Sequence, residues 1–126
     1  MEPYGWLPKS LAAPAPLLVA ELNSSSPSAT NSPDSGFIWV VTHADFVYGN
    51  TDFTYGGLSI VNEFGTFDFY YMHPEGALPS SFTWDGMQVV PPGGSLQAYG
   101  VGIGSDNGLG VMISGFWLPK PNLIDY

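Results

Sequence analysis

Segments rich in β-branched and aromatic residues, several of them alternating apolar and polar with a period of two, recur about every 8–15 residues between clusters of Gly, Pro, Asn, Asp and Ser. Period two marks strands, because successive side chains leave opposite faces of an extended backbone. Seven segments fit: Pro16–Leu22, Phe37–Tyr48, Leu58–Glu63, Thr66–Met72, Phe82–Val90, Ser95–Ile103 and Gly110–Leu118. Phe37–Tyr48 is apolar on both faces through Val41, as in a central strand, and alternates more openly from Thr42. Within Thr66–Met72 the residues Phe67, Phe69 and Tyr71 share a face, which is expected to point inward. The predicted core is Trp39, Val41, Phe67, Phe69, Val89, Leu96 and Ile113.

Turn chemistry fills the gaps. Asn23–Gly36, Thr51–Gly57 and His73–Ser81 read as loops, Phe64-Gly65 as a hairpin turn, and Pro91-Pro92-Gly93-Gly94 as a tight reversal. Asp85-Gly86 suggests a bulge or turn within its strand. Prolines at 3, 8, 14 and 16 forbid a helix at the start of the chain and favour an extended arm. The pattern therefore predicts an all-β protein: one antiparallel β-sandwich of about seven strands, Ig-like or jelly-roll-like, over residues 16–118. It would carry a Pro-rich N-terminal arm over 1–15 and a short tail over 119–126.

Composition sharpens this picture. The 126 residues are 44% hydrophobic and 15% aromatic but only 10% charged, with sixteen glycines and twelve prolines. That mixture suits a loop-rich β protein with an aromatic core better than a helical bundle or a disordered chain. Lys9 and Lys120 are the only fixed cations, and eleven carboxylates bring the net charge to −9. Such a chain repels nucleic acid and anionic membranes, and it has no Arg to clamp a phosphate. With no cysteine it has no disulfide, thiolate zinc site or Cys nucleophile. The stretch Leu11–Ala20 is too short and too proline-broken to cross a bilayer, and the Met1-Glu2-Pro3 start lacks the basic residues of a secretory signal.

Few residues point to chemistry. His43 and Asp45 lie two apart and project from one strand face, where they could orient a base or ligate a metal. No third ligand or nucleophile stands near them in sequence, so a polar sheet face is the expected role. Gly93–Gln97 lacks the final glycine of a nucleophile elbow, and no helix follows Gly100–Gly104 to make a dinucleotide site. Glu63, Asp68 and Asp85 are the carboxylates that could converge as in a glycosidase. Tyr70, Trp84 and Tyr99 could form a sugar-stacking platform. No catalytic residue, metal or cofactor is expected.

Three landmarks have a familiar layout: Trp84-x-Gly86-x-x-Val89-x-Pro91-x-Gly93-x-Ser95-Leu96, the run Gly36-x-x-Trp39-Val40-Val41, and Ser114-Gly115-Phe116 in the last strand. Together they resemble small β-sandwich virion proteins of tailed bacteriophages. The position after Val41, often Arg in that group, is Thr42 here. The resemblance implies a non-enzymatic structural protein, foremost a capsid decoration (cement) or minor capsid protein that stabilises the shell from its outer surface. It would be made in the host cytoplasm, contact the major capsid protein or other virion proteins, and form a homo-oligomer or symmetric array. Tyr4, Trp6, Leu7 and Leu11 are the expected contact residues. The alternatives are a tail or receptor-binding virion component and a carbohydrate-binding β-sandwich module.

Overall fold

The computed structural model describes residues 15–48, 53–73, 81–103 and 108–119. Among them there is no helix. Eight strands run β1 (Ala15–Leu22), β2 (Ser28–Asn31), β3 (Phe37–Tyr48), β4 (Tyr55–Asn62), β5 (Gly65–Met72), β6 (Ser81–Val90), β7 (Ser95–Val101) and β8 (Leu109–Pro119). They form two four-stranded antiparallel sheets, ordered β1-β8-β3-β6 and β2-β7-β4-β5. The chain passes from the first sheet to the second between β6 and β7. There Gly94 N–H donates to the Pro91 carbonyl at 3.0 Å, and Gly93 takes a positive φ of 79° that favours glycine.

The inner faces of the two sheets make one core. Val41, Ala44, Phe46, Leu58, Leu96 and Ile113 are fully buried. Each large side chain among them contributes about 1.5–3 kcal/mol on leaving water. Trp39, Val41, Leu96 and Ile113 occupy the core as the alternation predicts.

Four expectations are corrected. The segment Asn23–Gly36, read as a loop, contains β2, which pairs Ser28–Asn31 with Leu96–Tyr99 of β7. Its polar, mostly exposed residues hide it from any hydrophobic pattern, since a ladder needs only backbone groups. β4 begins at Tyr55, inside the second expected loop. Val89 is 43% exposed, and its neighbour Val90 faces inward opposite Trp39. Phe67 and Tyr71 are 58% and 56% exposed. β5 is an edge strand, and its register slips by one residue at Phe69, between the pairs Leu58–Tyr70 and Ser59–Asp68. The slip turns Tyr70 and Met72 inward and Tyr71 outward, while Phe69 packs partly buried against the core.

A second register shift shapes β3. Its ladders to both β6 and β8 jump between Val41 and His43, so Thr42 has no register partner on either side. Upstream, Trp39 and Val41 face the core; downstream, Ala44 and Phe46 do. The face of the strand therefore changes parity at Thr42. Gly115, opposite Val41, makes this kink possible, because an added Cβ there would run into the Val40 carbonyl oxygen.

Candidate functional site

The kink in β3 sends His43 and Asp45 to the outer face of the β1-β8-β3-β6 sheet. Register places Asp85 opposite His43, and Thr83 opposite Asp45, both on β6. His43 Nδ1 lies 2.6 Å from Asp85 Oδ1, and Nε2 lies 2.8 Å from Asp45 Oδ2. The Thr83 hydroxyl donates to Asp45 Oδ1 at 2.9 Å. An imidazole with a carboxylate at each nitrogen donates from both only when protonated. Accordingly, the hydrogen bonds to Asp85 and Asp45 raise the His43 pKa against the smaller opposing effect of burial. At Asp45 burial pushes upward, but the bonds from His43 and Thr83 together outweigh it and lower the pKa.

This arrangement limits the chemistry. While protonated, an imidazole held in this way has no lone pair to offer a metal or to take a proton from a nucleophile. Ser114 on β8 is in register with His43, yet the imidazole nitrogens face carboxylates instead. The four residues form a cross-strand ion-pair block on a half-exposed surface. Sequence reasoning found His43 and Asp45 and missed Asp85 and Thr83 as their partners, because only the β3–β6 register brings them together.

An apolar groove of about 300 Å³ adjoins the block, lined by Val19, Val47, Met112 and the Asp45 side chain among others. Val19, Val47 and Met112 are each more than half exposed. No described residue is Lys or Arg, so Glu21, Asp45 and Asp85 give this face a negative border.

The structure separates Tyr70, Trp84 and Tyr99. Tyr70 turns inward against Phe46, with ring centroids 6.4 Å apart. Trp84 packs edge-on against Phe69 at 5.1 Å, where the β6 and β5 edges of the two sheets meet. Tyr99 stands on the outer face of the second sheet beside Tyr55 and Tyr71. The Tyr55 and Tyr71 rings stack at 5.4 Å, and Tyr99 meets Tyr55 edge-on at 6.4 Å. Burial, and then the charge of nearby Asp68, push the Tyr99 hydroxyl up to about 12. Asp68 also accepts a hydrogen bond from the fully buried Ser59 hydroxyl. Asp68 and Asp85 thus sit on different sheets, and Glu63 lies in the β4–β5 turn, so the three carboxylates share no cleft.

A third feature lies at the end of the sandwich where β1 and β3 begin and β8 finishes. It is a cavity of about 260 Å³ lined by Trp39, Trp117, Phe37, Asn31, Ser32 and Asp34 with the start of β1. The expected contact residues Tyr4, Trp6, Leu7 and Leu11 lie outside the described residues. The chain matches no protein-family model, and no curated protein matches it.

Proposed function

We propose that the chain is a non-enzymatic structural protein of a tailed-phage virion, a decoration or minor capsid protein of jelly-roll type bound to the outer shell. The observation that carries the reading is the strand pairing. β1 joins β8, β2 joins β7, β3 joins β6 and β4 joins β5, all antiparallel. This is a long hairpin wound into two sheets, the jelly-roll topology found in viral capsid, lectin and cupin domains.

The landmarks of the resemblance support it further, because they meet in space. Gly36–Val41 leads into the kink of β3, Ser114-Gly115 lies against it on β8, and the register shift on its other side falls opposite Gly86 and Met87. Three short motifs therefore encode one piece of architecture. For docking, the groove beside Val19, Val47 and Met112 offers an apolar surface, and many symmetry-related copies make a weak single contact sufficient.

The test is co-sedimentation with empty shells assembled from the major capsid protein of the same genome. Saturable binding at a fixed ratio of copies per capsid subunit, with shells that resist heat better, is the expected result. Binding to tails alone would move the protein to the tail, and a protein left in the supernatant by both would overturn the reading.

A further inference from the structure

We propose that the cavity at the Phe37/Trp117 end of the sandwich binds a neutral saccharide unit. This inference stands apart from the virion reading and rests on the cavity's own chemistry. Three aromatic side chains line one small volume, and Trp117 keeps 54% of its surface exposed even after its edge-on contact with Phe37 at 5.3 Å. An exposed indole presents a flat apolar face and a polar N–H, which suits the C–H face and hydroxyl rim of a pyranose. Trp39 lines the same cavity and is 8% exposed, yet its indole N–H finds no acceptor among the described residues. That N–H is therefore available to donate to a ligand oxygen such as a sugar hydroxyl.

The polar side of the cavity fits the same ligand. The Asp34 carboxylate has no hydrogen-bond partner among the described residues and can accept from sugar hydroxyls. Ser32 and Ser95 share a hydroxyl–hydroxyl bond of 2.8 Å, which leaves lone pairs on both. Asn31 is already committed: its amide donates to the Leu17 carbonyl at 2.8 Å and its oxygen accepts from Ser32 N–H at 3.0 Å. It thereby holds the loop in shape rather than reaching for ligand. The volume, about 260 Å³, lies below the roughly 300 Å³ at which pockets begin to engulf drug-sized ligands, and suits one sugar ring. Charge selects among sugars. Asp34 and a net charge of −9 disfavour sialic or uronic acids.

The full-length protein is titrated with methyl glycosides of glucose, galactose, mannose and N-acetylglucosamine, following tryptophan fluorescence and the indole N–H resonances by NMR. At least one should give saturable shifts at Trp39 and Trp117, and sialic acid should give none. Trp117→Ala, at an exposed site, should keep the melting temperature and weaken binding about tenfold or more, as loss of an aromatic anchor does. Asp34→Asn should weaken it less. No saturable shift from any neutral glycoside overturns the proposal. So do shifts that survive Trp117→Ala unchanged.

Discussion

At Gly115 a single hydrogen atom sets how closely β8 approaches the kink of β3. A methyl group there would meet the Val40 carbonyl oxygen and lie 3.0 Å from the Val41 Cα, and neither backbone atom can rotate away. Overpacking typically costs about 1–3 kcal/mol, and a collision with backbone belongs at the upper end. Gly115→Ala should therefore lower stability by about 3 kcal/mol in urea unfolding. At Gly110, on the same strand, an added Cβ would sit 3.4 Å from the Val47 carbonyl oxygen, an ordinary contact. Gly110→Ala should stay within about 1 kcal/mol of the parent, because Ala regains part of the backbone entropy that Gly costs.

His43 makes a second prediction at this scale. Its folded pKa is raised, so its stabilising effect is complete below the unfolded value of about 6.5 and fades as pH rises through the folded value. Asp45 is lowered, so its effect holds above its unfolded value of about 3.9 and fades as pH falls through the folded one. The block is thus strongest between roughly pH 4 and 6.5. With the side chains more than a third exposed, solvent screens much of the effect. The melting temperature should decline slightly from pH 6 to 9 and do so less in His43→Gln. In NMR titration, Asp85→Asn should bring the His43 pKa down. A His43 pKa below 6.5 in the parent would contradict the geometry.

Among the elements, register decides what alternation leaves open. The pattern locates seven of the eight strands because their apolar residues are dense enough to count, whereas Ser28–Asn31 carries only Ala29 to betray it. Two slips of one residue, at Thr42 and Phe69, then reverse which face is inside; Asp85-Gly86 marks the β6 side of the first, and nothing in the local residue types announces the second. The same blindness hid the site. His43 and Asp45 are visible as neighbours in sequence, while Asp85, Tyr55 and Trp117 join their clusters only through strand pairing. The slip at Phe69 has a measurable consequence, since it delivers that ring to Trp84 across the gap between the sheets. A double-mutant cycle on Phe69→Ala and Trp84→Ala should give a coupling of about 0.5–1.5 kcal/mol, the range for aromatic pairs. Phe67→Ser, on the exposed part of the same strand, should cost about 0.5 kcal/mol or less. Equal losses at Phe67 and Phe69 would mean that the edge of β5 is covered after all.

For the whole molecule, the proposed virion role turns on which surface would meet a shell: the sandwich or the segment that precedes it. The first of the described strands starts at Ala15, so a chain beginning there retains every strand among the described residues. The removed residues 1–14 hold Tyr4, Trp6, Leu7 and Leu11, whose burial on a neighbour would contribute several kcal/mol at about 25 cal/mol per Å² before ordering costs are subtracted. They also hold one carboxylate, Glu2, and one cation, Lys9, so the truncation leaves the net charge at −9. Long-range electrostatics would therefore be little altered, and a change in affinity would report the lost apolar contacts. The expected outcome is an unchanged β-sheet circular dichroism spectrum with weaker co-sedimentation on capsids. Unchanged affinity would place the contact on the sandwich, with the Val19–Val47–Met112 groove the first surface to mutate. A collapse of the melting temperature would show that Trp6 packs on its own domain, and that the core of this chain extends beyond the two sheets.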